Sequence, residues 1–265
     1  MKQSVAQRRF EHLPKGDPDE VRPLAADHPA MVEGRTLFPT TVVDPKDSNS
    51  LLISGHNNRK IGKMVTKGPW AGMPIYTLTL EERATCPASC HVYDRCYGNS
   101  MNWARRHRHG PELEAYLAGE LVDLADDHPS GFVVRLHVLG DFYAEDYVWF
   151  WHRQLQIHPM LRIYGYTARS HAADPDIHKA IVLLNAKFPK RSFIRFSSKE
   201  SKPFGATVIT RNPEAAVVPE GVVCPAETSD AECCSTCGLC WSPAMREKTI
   251  VFVLHGKGSN AKRAE

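Results

Sequence analysis

Eight cysteines gathered into two tight groups constrain this chain more than any other feature. Cys86, Cys90 and Cys96 form the first group; Cys224, Cys233, Cys234, Cys237 and Cys240 form the second. The N-terminal residues show no apolar leader segment, and no apolar run approaches the ~18 residues of a membrane span. The expected location is therefore cytoplasmic, with no membrane partner. In a reducing cytosol, clustered thiols read as metal ligands before they read as disulfides.

The second group contains Cys234-Ser-Thr-Cys237-Gly-Leu-Cys240, a Cys-x2-Cys-x2-Cys run, with Cys224 upstream as a fourth ligand. Three thiolates on one turning loop suit three corners of an iron–sulfur cube. Zinc, which more often takes two separated Cys-x-x-Cys knuckles, is the alternative. Cys233 is the spare, although the spacing alone does not rank Cys233 against Cys234 as the ligand. The first group, Cys86-Pro-Ala-Ser-Cys90-His-Val-Tyr-Asp-Arg-Cys96, supplies only three thiols. Three ligands on a four-iron cluster leave one iron open for a substrate or cofactor, unless His91 or Asp94 closes the site.

Around these groups the texture is that of an ordinary globular chain, 42% apolar and 24% charged, which excludes a disordered or fibrous protein. Residues 1–60 are rich in proline and poor in periodicity, and read as an extended arm. Residues 61–265 read as one domain with a cysteine-rich insert at 221–245. Ile75–Leu80, Phe132–Val138, Leu161–Tyr166, Phe193–Ser197, Ala206–Thr210 and Thr249–His255 have strand character. Helices are expected from Pro111, where Leu113, Tyr116, Leu117, Leu121 and Leu124 share a face, over Ala144–Ile157, and from Asp174-Pro175. Such alternation predicts parallel βαβ units, and polar residues within the strands favour a partial parallel β/α barrel of TIM type over an open sheet. Arg135 and His137 share one strand face and Arg195 and Ser197 another, while His255 ends the last strand. These side chains are expected to line a pocket at the C-terminal strand ends, although buried pairing with carboxylates would explain the arginines equally well.

A three-cysteine loop after the first strand of a partial barrel resembles the radical S-adenosylmethionine (SAM) superfamily. That resemblance implies a [4Fe-4S] cluster whose open iron takes the amino and carboxylate groups of SAM. One electron then releases a 5′-deoxyadenosyl radical. It also implies that Leu139-Gly140-Asp141 stands where the family has its Gly-rich acidic motif, making Gly140 and Asp141 cofactor-binding. The usual spacing is Cys-x3-Cys-x2-Cys with an aromatic before the third cysteine. Here the second gap is five residues and Tyr97 follows the third cysteine. Thr79-Leu-Glu-Glu-Arg-Ala-Thr-Cys86, His137-Val-Leu-Gly-Asp-Phe142 and Cys237-Gly-Leu-Cys-Trp241 also resemble an uncharacterised phage and prophage family over most of residues 60–255.

Two functions remain open at this point. One is a radical SAM-like or redox enzyme carrying one or two clusters. Arg135, His137, Asp141, Arg195 and Ser197 would then line the site of a small-molecule or nucleotide substrate. The other is a zinc- or iron–sulfur-stabilised nucleic-acid-binding protein. In it, Arg105, Arg106 and Arg108 of the basic stretch Asn102–His109 would contact phosphates. A net charge of +3 permits such a partner without requiring it.

Overall fold

The computed structural model describes residues 23–198, 204–209, 221–228 and 230–253. The short strands β1 (Val42–Val43) and β4 (Arg106–His107) pair in parallel. The main sheet holds β2 (Ile53–Ser54), β3 (Ile75–Thr77), β5 (Phe132–Leu136), β6 (Leu161–Thr167), β7 (Ser192–Ser198), β8 (Gly205–Ile209), β9 (Gly221–Val223) and β10 (Thr249–Val253). Its order is β2-β3-β5-β6-β7-β8-β10-β9. β2 runs antiparallel to β3, and the remaining pairs are parallel.

From β3 to β8 the strands of this sheet lie in chain order with no reversal. A closed TIM-type barrel does not form. Among the described residues β2 ends the sheet on one side and β9 on the other, and the two edges do not pair. The fold is mixed α/β with a mostly parallel eight-stranded sheet.

Three amphipathic helices cover one face. α1 (Pro111–Asp127) has proline in its first turn and buries Leu113, Leu117 and Leu121. α2 (Glu145–Ile157) buries Tyr147, Val148, Phe150, Trp151 and Leu155, and α3 (Pro175–Lys187) buries Ala180, Ile181 and Leu184. They meet Phe132, Val134 and Leu136 of β5, Leu161 and Ile163 of β6, and Ile194 of β7. Alternation along each strand sends the intervening residues to the opposite face. There Ile75, Val133, Tyr164, Phe193 and Ile250 pack with Trp70, Trp241, Cys224 and Cys240. The sheet thus separates a helix-covered core from a core built around the second cysteine group.

Described residues of the 1–60 segment contact α1. The backbone N–H groups of Leu51 and Leu52 donate to the Glu120 carboxylate at 2.6 and 2.9 Å, and both leucines are buried. The expected strand Phe132–Val138 stops at Leu136, because His137 takes a left-handed φ of 57° that breaks the extended run. Thr210 and His255, expected in the last strands, and residues 1–22 of the arm lie outside the described residues. No helix of the described residues is long and apolar enough to cross a membrane.

Candidate metal centres

The first cysteine loop leaves the sheet just beyond β3, and buried polar groups fasten it there. The N–H groups of Leu78 and Leu80 donate to the carbonyls of Arg135 and Leu139 at 3.1 and 3.0 Å, so pairing continues to the rim. Glu81, Glu82 and Arg83 follow, all buried. Arg35 donates to both Glu81 oxygens at 2.6 and 2.9 Å. Arg106, with no exposed surface, clasps Glu82 at 2.6 and 3.0 Å. Arg106 also donates to the carbonyls of Gly98, Met101 and Ala104, drawing the far end of the loop back onto its start. A side chain at Gly98 would meet Glu82 Oε1 at 3.0 Å, so only glycine lets the two ends close this tightly.

The rim of the neighbouring strands completes the frame. Asp141 N–H donates to Thr85 Oγ1 at 3.1 Å, and Arg169 donates to the Thr85 and Phe142 carbonyls at 2.7 Å each. Cys86 and Asp141 therefore stand at the same end of the sheet. The Asp141 carboxylate accepts the N–H groups of Phe142 and Ala168, each at 2.7 Å. Burial nevertheless raises its pKa to about 6. Burial also raises the Cys86 and Cys90 thiols, with Asp141 adding to both, and pushes Cys96 up to about 11. Gly98 N–H donates to Cys96 Sγ at 3.4 Å. Crowded among themselves and beside a carboxylate, these thiols stay protonated unless a cation takes the proton's place, and a coordinating thiol is deprotonated outright.

The second group lies on the sheet face away from the helices. Cys224, at the end of β9, joins Cys234, Cys237 and Cys240 in lining one recess, with Trp241, Leu239 and Ile250 as its apolar wall. The loop is anchored by backbone bonds: the N–H groups of Cys234 and Ser235 donate to the carbonyls of Lys60 and Ile61 at 2.7 and 2.9 Å. Gly238 turns the chain in the left-handed region, φ 74°, between the second and third cysteines of the run. Cys233 is not part of the recess wall. Its sulfur packs on Ser235 Oγ at 3.1 Å and over Gly62. Burial raises Cys224 to about 12 and lifts Cys234 and Cys240 as well. Lys60, ion-paired to Glu227, sits beside Cys224 and Cys234. Among the described residues, no three His, Cys, Asp or Glu side chains converge tightly enough to hold a single metal ion.

The remaining candidates divide between layers. Arg135 and Arg195 share the face that carries the second group, as does half-buried Ser197. Arg135 lies over the Tyr166 ring at 4.7 Å and the Tyr164 ring at 5.5 Å. His137 does not join them. Its left-handed backbone swings the ring to the helix side, where Nε2 is 3.2 Å from Tyr147 Oη and the ring meets Phe142 edge-on. The basic stretch divides too: Arg106 is buried in its ion pair, Arg108 is paired with Asp44, and Arg105 stands exposed beside Trp103. Sequence reasoning passed over Glu81, Glu82, Thr85, Tyr164 and Tyr166. The tyrosines were visible as alternate residues of one strand, and the Glu-Glu-Arg run as charge abutting an apolar strand.

Residues 46–243 match the family described as Gene product 88, in keeping with the phage and prophage resemblance of the cysteine and Gly-Asp motifs. Neither the curated proteins nor the solved structures contain a match. Because that match spans most of the chain and takes in both cysteine groups, the protein belongs to the Gene product 88 family.

Proposed function

We propose that this chain is an iron–sulfur protein with two centres. Cys224, Cys234, Cys237 and Cys240 hold a closed one, and Cys86, Cys90 and Cys96 hold a three-ligand one with an open iron. The observation that carries this reading is that Cys224, Cys234, Cys237 and Cys240 line one recess. Tetrahedral zinc with ~2.3 Å bonds would need sulfurs about 3.8 Å apart. Ligands of a [4Fe-4S] cluster bind different irons and can stand further apart, and the Cys234–Cys237–Cys240 spacing suits three corners of one cube.

When bound, an open cluster would supply one-electron chemistry to a small ligand such as SAM, within a radical SAM-like or redox enzyme. The chain's own contribution is positional. The strands from β3 to β8 run parallel in chain order, and the Glu82–Arg106 clasp and Thr85–Asp141 contact tie the three-cysteine loop to one end of that sheet. Asp141, with both oxygens already engaged by backbone N–H groups, acts as a brace between the ends of β5 and β6. Its role is then to orient the loop, and Gly140 beside it keeps the rim free of a side chain.

The test is electron paramagnetic resonance on anaerobically reduced protein with and without SAM. The reading expects a cluster signal that SAM perturbs and that Cys90→Ala removes. One observation favours a nucleic-acid reading instead: Trp103 is 90% exposed next to exposed Arg105, a stacking face beside a cation. A zinc-loaded protein with no cluster signal, binding single-stranded nucleic acid through Trp103, would put that reading first.

A further inference from the structure

The two cysteine groups sit in different electrostatic surroundings, although the second also has the ion-paired Lys60 and Glu227 beside Cys224. Beside Cys240, Tyr166 Oη stands 2.7 Å from Sγ, a hydroxyl placed to donate to a thiolate. Tyr164, on the same face of β6 and against Trp241 with ring centroids 4.6 Å apart, is 1% exposed. Its hydroxyl has no hydrogen-bond partner among the described residues. Arg195 is fully buried, and its Nη1 has no partner there either, although Nε and Nη2 donate to the carbonyls of Gly205, Met245 and Lys248. Among the described residues neither Arg135 nor Arg195 forms an ion pair. Both lie close enough to Cys240 for their charge to be felt there. A buried cation without a counter-charge, and a buried hydroxyl without an acceptor, are each costly. Of these groups Tyr166 touches a recess thiol directly, and Arg135 and Arg195 stand behind it, so an anionic group held by Cys240 would meet a hydroxyl donor and two nearby cations.

The first group is different. The charge of Asp141 raises both Cys86 and Cys90, Asp94 adds to it at Cys90, and Glu82 raises Cys96. Arg83 near Cys96 is the opposing cation. The hydrogen bond to Cys96 comes from the backbone of Gly98.

We infer that the Cys224/Cys234/Cys237/Cys240 centre is the higher-potential of the two, raised by donation from Tyr166 and by the uncompensated charges of Arg135 and Arg195. This rests on the iron–sulfur reading above. Hydrogen bonds to sulfur and nearby positive charge stabilise the reduced, more negative form of a cluster, whereas nearby carboxylates oppose it. An electron delivered to the protein then settles on the second centre, leaving the rim centre oxidised until a stronger reductant is present. Tyr166, Arg135 and Arg195 are positioning residues in this scheme, since they act through the cluster and touch no substrate.

The experiment is an anaerobic dithionite titration of the full chain, followed by electron paramagnetic resonance. Cys90→Ala, which keeps only the second centre, assigns the signals. In the unsubstituted protein the second centre should reduce first. Tyr166→Phe should lower its reduced-to-oxidised ratio at fixed potential about tenfold, equal to about 59 mV for a one-electron couple. The rim centre should not move. Arg135→Gln, at a half-buried side chain, should lower the same midpoint and serves if Tyr166→Phe does not fold. A rim centre that reduces first, or a second-centre midpoint unmoved by the folded variants, overturns the inference and leaves the iron–sulfur reading standing. Protein without iron and sulfide overturns both.

Discussion

The two cysteine groups lie on one domain yet are built by opposite means. The thiols of Cys86, Cys90 and Cys96 are all half-buried at a sheet rim, on a loop whose shape is set by buried ion pairs and backbone contacts to neighbouring strands. In the second group Cys234 and Cys237 are half-buried too, but Cys224 and Cys240 are buried and belong to the apolar core on the sheet face opposite the three long helices, together with Trp70, Trp241 and Ile250. Among the described residues, backbone bonds tie the segment that carries them to residues 60–66 and to Val251, and Tyr166 meets Cys240. A preformed loop can lose its ligand and keep its shape; a loop built around its ligand cannot. On the iron–sulfur proposal, the first group would serve chemistry at an accessible metal and the second would hold part of the fold together.

Substitution should separate the groups most sharply. Cys237→Ser is expected to destabilise the domain by several kcal/mol, read as a fall in Tm on the order of 10 °C, with loss of metal. Cys90→Ser should lose metal from the rim while Tm stays within about 3 °C. Equal losses of stability from both variants would erase the distinction.

Next in size is the clasp behind the first loop. Glu82→Ala leaves Arg106 charged, fully buried and unpaired, and should cost about 3–5 kcal/mol in urea unfolding. The cost should be the same with or without metal. A loss under ~1 kcal/mol would mean that the metal, and not the ion pair, shapes this loop.

A smaller effect is expected where the loop meets the second strand end. Gly140 has φ 86°, and a Cβ there would stand 2.6 Å from Thr85 Oγ1 and 2.7 Å from Leu80 Cβ. Gly140→Ala should cost about 1–3 kcal/mol and disturb the rim centre's spectrum. Gly72→Ala has a similar φ of 83° but open space, and should cost about 1 kcal/mol with no spectral change.

Acid should act mildly, and on the framework more than on the thiols. Burial holds His107 at about 4 and His137 at about 3, so both stay neutral in the folded chain while an unfolded histidine protonates near ~6.5. Their contribution to stability is whole above that pH and is lost as pH falls toward the folded values. Asp141, raised to about 6, runs the other way: the folded chain takes its proton first, which favours folding on acidification. His109, His152 and His158 are lowered by burial as well, so with five histidines against one aspartate stability should fall as the pH drops from 6 to 4. Melting curves of the parent and His137→Phe check this, since the variant should flatten the slope.

Much of the framework was legible because it rests on local pattern. The leucine stripe of α1, the prolines opening α1 and α3, and the alternation in β5 and β7 each specify an element and its buried face. The placement of Arg135 and Arg195 opposite the helices followed from the same alternation. What escaped was set by contacts distant in sequence. Arg106 read as a surface cation because its partner, Glu82, lies on the far side of the cysteine loop. His137 read as a pocket residue because nothing local announces a left-handed backbone at a non-glycine position. Closure of the sheet was overestimated, since the antiparallel strand at Ile53–Ser54 occupies an edge and is too short to show a period.

The most direct test is elemental: iron, acid-labile sulfide and zinc per chain after anaerobic purification, for the unsubstituted protein and for Cys90→Ala and Cys237→Ser. Two four-iron centres predict about four iron and four sulfide for each intact centre, with one centre's complement lost in Cys90→Ala and the folded fraction reduced in Cys237→Ser. Zinc without sulfide in the unsubstituted protein, unchanged by Cys90→Ala, would contradict it.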